Sequence, residues 1–256
     1  TFLYNVLRHV AQGMNVLGKD DANPSDNSRR ILIRDNLVYD LGAYGGDGRT
    51  FQYLRETVDH TIDHNTTLDA DNSVMFADVA PSGTSFKFQN NINNRGTYGF
   101  LGTGTGDGNG TLNTYFPSAV YVANAQIGGI AANYSSYPGN FFPANIAAVG
   151  FVDDTNKDWH LTAGSSLHNA GNDGKDVGAD IDTIESAVTG AGYFGATSGA
   201  QRATNYETEW RAITGAWPAA ASAAVRPAAS KRPAASERPV APSRPTAPSR
   251  PSNGYN

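Results

Sequence analysis

Between Ile31 and Phe100 one short pattern of apolar and polar positions is written three times. Each copy alternates and then closes on an asparagine: Ile31-Leu32-Ile33-Arg34-Asp35-Asn36, His60-Thr61-Ile62-Asp63-His64-Asn65 and Phe86-Lys87-Phe88-Gln89-Asn90-Asn91, with a fainter copy at Phe2-Leu3-Tyr4-Asn5. These asparagines stand 31, 29 and 26 residues apart, a recurrence that belongs to a solenoid rather than to a globular domain. Alternation of period two predicts strands with one buried and one exposed face. Ile31, Ile33, Ile62, Phe86 and Phe88 then point inward, and Leu32, Arg34, Thr61, Asp63, Lys87 and Gln89 point outward. A second apolar pair follows nine residues after the asparagine, at Met14 with Val16, Val74 with Phe76, and Phe100; Phe51 with Tyr53 arrives late because Ala43–Gly48 is inserted first.

Two strand positions per coil, joined by asparagine and glycine bends, describe an all-β fold, a right-handed parallel β-helix over residues 1–182. Asparagine suits the bend because it tolerates unusual backbone angles and its amide can pair with the asparagine one coil away. Residues 183–217 change character: Ile184, Ala187, Val188, Tyr206, Trp210, Ile213 and Trp217 fit helical spacing and predict a short helical cap over the solenoid's open edge. Residues 218–256 are alanine, proline, serine and arginine; they cannot bury a core and read as a disordered tail or linker.

The runs Asn5-Val6-Leu7-Arg8-His9, Gly13-Met14-Asn15-Val16-Leu17-Gly18 and Ile31–Asn36, with the close Asp158-Trp159-His160-Leu161, Gly164–Gly171 and Asp176–Asp180, resemble the bacterial right-handed β-helix repeat proteins of the pectate-lyase-like superfamily. Ser166 stands where that family usually has a proline, and in the family the closing segment forms the last coil. The resemblance covers roughly residues 1–182. It implies a fold, and a choice of activities running from polysaccharide lyase and glycoside hydrolase to adhesin.

Composition narrows that choice. The chain has 256 residues and no cysteine, which excludes a disulfide framework, thiol catalysis and thiolate metal sites. No apolar run approaches the roughly 20 residues that cross a bilayer, and no signal peptide is present. Since Thr1 falls inside a coil, the expectation is a processed chain or fragment whose address is extracellular, periplasmic or cell-surface. From Arg226 onward six basic residues and one acid leave the preceding part at −10 of a formal net charge of −5. An acidic body argues against nucleic acid as partner.

Aligning the coils on their asparagines exposes columns, since equivalent positions stack about 4.8 Å apart. Four residues after the asparagine come His9, Asp40, Asp69 and Arg95; one before it Tyr4, Asp35, His64 and Asn90; two before it Leu3, Arg34, Asp63 and Gln89. Stacked carboxylates beside a basic residue are what the lyases of this superfamily use, so the resemblance implies Asp40 and Asp69 as ligands of Ca2+ and Arg95 or His9 as the base, acting on an acidic polysaccharide. Ordinary surface ion pairs explain the same column. Arg34, Asp63 and His64 are candidate substrate contacts, as are Asp47 and Arg49 on the tight turn Gly45–Arg49. His60 falls in the inward column and is expected to be buried and hydrogen-bonded rather than a ligand. The competing function is a non-catalytic wall for carbohydrate adhesion or for self-association through open coil ends.

Overall fold

A computed structural model describes residues 1–20, 22–23, 25–42 and 46–188. The remainder of the expected cap, residues 189–217, and the expected tail, residues 218–256, lie outside the described residues. The chain winds as a parallel β-solenoid with three strands per coil. The first coil carries β1 (Phe2–Leu3), β2 (Val6–Val10) and β3 (Met14–Leu17); the second β4 (Arg29–Arg34), β5 (Leu37–Leu41) and β6 (Arg49–Leu54). The third carries β7 (Thr57–Asp63), β8 (Thr66–Thr67) and β9 (Ser73–Asp78); the fourth β10 (Gly83–Thr84), β11 (Lys87–Gln89), β12 (Ile92–Asn94) and β13 (Phe100–Gly102). After α1 (Asn109–Tyr115), β14 (Val120–Val122) and β15 (Ala125–Ile127) begin a further turn. Sheet A runs β1-β4-β7-β11-β14, sheet B β2-β5-β8-β12-β15 and sheet C β3-β6-β9-β13, with parallel pairing throughout.

The asparagines form one continuous ladder at the corner between sheets A and B. The backbone N–H of Asn5 donates to Oδ1 of Asn36 at 2.9 Å, and the same bond links Asn36 to Asn65 at 3.1 Å and Asn65 to Asn91 at 2.9 Å. It continues through Asn124 to Asn140, two members that the repeat did not disclose. Each interior amide also donates to its neighbour's Oδ1 and to carbonyls of its own and the preceding coil, so its polar atoms are satisfied inside the wall.

Sheets A and C enclose an aromatic lumen in which Ile33, Ile62, Phe51, Tyr53, Phe86, Phe88 and Phe100 are buried. The second apolar pair sits one residue later than expected in the third coil. Met14, Phe51, Met75 and Phe100 share one register position and Val16, Tyr53 and Ala77 the next inward one, so Phe76 faces out. A one-residue slip exchanges the faces of a strand; here an extra residue in the corner before β9 causes it. Tyr134, from the 3-10 turn Ala131–Tyr134, stacks on Tyr121 at 5.3 Å, and Phe116 just past α1 stacks on Phe86 at 4.3 Å.

Sheet B went unrecognised in the repeat because it is buried on both faces. Its outer residues Leu37, Tyr39, Leu68, Ile92, Ala125 and Ile127 form a second core with Val149, Trp159, Leu167, Val177, Ile181 and Ile184. The C-terminal segment that resembles a family's last coil therefore does not stack as a further coil. It makes an antiparallel hairpin, β16 (Phe151–Asp153) with β17 (Asp158–Leu161), then an irregular strap and α2 (Ile181–Val188), all laid against the outer wall. Among the described residues no helix is long and apolar enough to cross a membrane.

Candidate functional site

The residue before each ladder asparagine adopts the left-handed conformation: φ is 56° at Tyr4, 48° at Asp35, 49° at His64, 55° at Asn90 and 54° at Ala123. Such backbone costs on the order of 1–3 kcal/mol outside glycine and persists only where its surroundings over-determine it. Here the ladder does so, and the strap docks along the resulting file. Asn172 and Asn90 exchange hydrogen bonds, N–H to Oδ1 and Nδ2 to Oδ1, both at 2.8 Å, and the Gly178 N–H donates to the Asn90 carbonyl at 2.7 Å. His64 places Nδ1 3.0 Å from the Gly178 carbonyl and Nε2 3.1 Å from Oδ2 of Asp173. Both partners are acceptors, toward which a ring nitrogen can only donate. The Asp180 N–H donates to Oδ1 of Asp35 at 3.2 Å. Gly178, at φ 96°, lets the strap come this close: a Cβ there would meet Ile92 Cδ1 and Thr66 Oγ1 at 2.7 Å.

Beside this line opens a cleft of about 490 Å³, with Arg34, Asp35 and His64 on the solenoid side and His160, His168, Lys175, Asp176, Asp180 and Asp182 on the other. Its arginine and histidines are paired. Arg34 donates Nε to Asp35 at 3.1 Å and lies 3.6 Å from Asp63. His160 sits between Asp158 at 2.6 Å and Asp182 at 3.2 Å, and His168 lies 2.8 Å from Asp176. Burial pushes the Asp35 carboxyl above its ordinary pKa; the Asp180 N–H and the Arg34 guanidinium hold part of that rise back.

Apart from Arg95, the expected site residues fall in three places. Arg34 and His64 come together at the cleft with Asp63 buried behind them, 3.6 Å from Arg34, and His64 is buried beneath the strap rather than open on a wall. The second place is the next corner, where His9, Asp40 and Asp69 share the left-handed conformation at φ 52°, 58° and 56°, and His9 Nδ1 pairs with Asp40. Burial lowers the pKa of His9, against the pull of Asp40. Asp69 is exposed as a residue, yet partial burial of its carboxyl together with Asp154, Asp40 and Asp71 raises its pKa, and Lys157 lowers it. Arg95 does not join that column. Its Nε donates to Asp107 at 3.1 Å and its Nη1 to the Thr97 carbonyl at 2.7 Å. Asp107 also accepts from the Phe100 N–H at 3.0 Å and the Tyr134 hydroxyl at 2.6 Å, so Arg95 closes a structural hub that the glycine-rich sequence around Asp107 concealed. Asp47 and Arg49 form the third place, an ion pair of 3.3 Å on the outer face of sheet C, with the guanidinium 4.0 Å over the Phe76 ring.

Among the described residues no group of three or more histidine, aspartate or glutamate side chains is arranged to hold a metal ion. In the expected Ca2+ column Asp40 is engaged by His9, and Lys157 as well as Asp154, Asp40 and Asp71 stand around Asp69. His160, His168, Asp176, Asp180 and Asp182 were missed as site residues. The one available signal was that two of the chain's five histidines stand in the closing segment, each with aspartate nearby. His60 is buried against Ser28 and Tyr53, 3.1 Å from the Ser28 carbonyl. No family model, no curated protein and no solved structure matches the chain.

Proposed function

We propose that the chain is a polysaccharide-binding β-solenoid whose cleft between the asparagine corner and the C-terminal strap receives a sugar unit. The observation that carries this reading is the cleft itself. It has the volume of a small-ligand site, and closely spaced carboxylates, imidazoles and an arginine line it, the donors and acceptors that hydroxyl groups require. Its fixed charges are Arg34 and Lys175 against Asp35, Asp176, Asp180 and Asp182. An acid-rich lining of this kind favours a neutral glycan over a uronate, so the acidic substrate implied by the lyase resemblance is the weaker fit. Lyase chemistry keeps one point of support, the stacked His9, Asp40 and Asp69 with Lys157 beside them, but the base expected from Arg95 is committed to Asp107.

Calorimetric titration of the full chain with neutral hexasaccharides and with a uronate hexasaccharide separates the readings. Binding of a neutral sugar, weakened at least tenfold in Asp182→Ala with folding unchanged, is the expected result; the Asp182 side chain is 90% exposed, so its removal does not threaten the fold. Calcium-dependent release of unsaturated products from a uronate polymer, with no neutral sugar bound, would replace this reading with the lyase one.

A further inference from the structure

The inward column of sheet B reads Leu7, Val38, Thr67, Asn93, Gln126, successive members being register partners on adjacent coils. It changes from apolar to polar inside a lumen otherwise filled by Ile62, Phe88, Phe51 and Phe100. Thr67, Asn93 and Gln126 are at most 2% exposed, and Thr67 Oγ1, Asn93 Oδ1 and Gln126 Oε1 have no hydrogen-bond partner in the protein. Three oxygens in one register column, each without a donor, are what well-formed interiors avoid. No neighbour supplies one: the Thr67 hydroxyl and the Asn93 amide nitrogen, the donors within the column, reach none of the other oxygens. The two amide oxygens are acceptors only, the facing side chains are hydrocarbon, and the Gln126 amide nitrogen already donates to the Tyr134 hydroxyl at 2.8 Å.

From this we infer that the lumen holds a file of bound water along Thr67, Asn93 and Gln126, an internal hydration site built into the solenoid. The spacing suits it. Adjacent strands lie about 4.8 Å apart, and two oxygens at about that separation are bridged by one water about 2.8 Å from each, at an oxygen–water–oxygen angle of about 118° that uses both water protons. Two such waters join the three oxygens, with the Thr67 hydroxyl oxygen accepting from the first. The C-terminal end of the file is closed by Tyr134, whose hydroxyl is held between Gln126 and Asp107, so these waters exchange slowly.

The test is a crystal structure of the full chain at a resolution that shows ordered solvent, together with the variant Thr67→Val. Density at hydrogen-bond distance from at least two of the three oxygens is expected, and loss of one bridging water in Thr67→Val with a fall in Tm of about 2–4 °C. A dry lumen, or a protein donor found on these oxygens, overturns the inference. So does a rise in Tm for Thr67→Val, the response of an oxygen that was never hydrated. A Tm that falls when sodium and potassium are replaced by choline would assign the site to a monovalent cation instead and overturn it equally.

Discussion

Replacing one rung of the asparagine ladder isolates what the corner contributes. The Asn65 side chain makes five hydrogen bonds: its Oδ1 accepts from the backbone N–H and Nδ2 of Asn36, and its Nδ2 donates to the Ile33 and Asp63 carbonyls and to Oδ1 of Asn91. In Asn65→Ala the Asn36 N–H is left buried without an acceptor, at about 1–3 kcal/mol, and two amide–carbonyl bonds worth about 1 kcal/mol each disappear. The expected loss is about 3–5 kcal/mol, a large share of the roughly 5–15 kcal/mol that holds a domain together. Asn65→Asp keeps the shape but turns an acceptor toward three acceptors, so at neutral pH it should be no better than alanine. In Asn5→Ala the half-buried amide is replaced by water and the Asn5 N–H keeps its bond to Asn36, so about 1 kcal/mol or less is at stake. Urea unfolding followed by circular dichroism measures all three, with the slope checked for constancy. An Asn65→Ala chain within about 1 kcal/mol of wild type, or an Asn65→Asp chain that behaves as wild type, would refute the ladder as a source of stability.

Arg95→Met should destabilise by about 2–3 kcal/mol, below the range for a fully buried pair because Asp107 keeps the Phe100 N–H and the Tyr134 hydroxyl; an unchanged unfolding midpoint would show that the pair with Asp107 carries no stability. His60 has its pKa lowered by burial, so its contribution is present above the unfolded value of about 6.5 and is lost as pH falls through the lowered folded value. His60→Phe should therefore flatten the decline in stability between pH 7.5 and pH 5 (about the span of the histidine titration), and an identical pH slope in the two chains would count against a neutral buried ring. Gly178→Ala forces a Cβ into Ile92 and Thr66 at a positive φ and should release the strap. Hydrogen exchange should then accelerate at the Gly178 and Asp180 amides while the ladder amides stay protected; equal protection would show that the strap does not depend on this approach.

The winding was legible in the sequence because Ile31, Ile33, Ile62, Phe86 and Phe88 alternate with polar residues and each run closes on the asparagine that builds the corner. Sheet B left no such trace, since Leu37 and Tyr39 face a second core outside while Thr67 and Asn93 face the lumen, and neither column has the polar-out signature of an exposed strand. Asn124 follows Asn91 by 33 residues, across α1, and Asn140 follows Asn124 by only 16, so neither keeps the spacing of the repeat. The site was legible only in part: Arg34, Asp35 and His64 share one corner, but Asp173 and Gly178, which His64 meets, and Asp180, which donates to Asp35, arrive from more than a hundred residues away. Column reasoning also fails for Arg95, whose flexible side chain turns from its own column to Asp107.

Under the proposed function the cleft, and not the His9–Asp40–Asp69 column, meets the glycan. Amide chemical shifts of the full chain, followed while a neutral hexasaccharide is added, test it directly. The account predicts saturable shifts gathered at Arg34, Asp35, His64, His160, His168 and the strap through Asp182. Shifts centred on His9, Asp40 and Asp69, or none for any sugar offered, would contradict it.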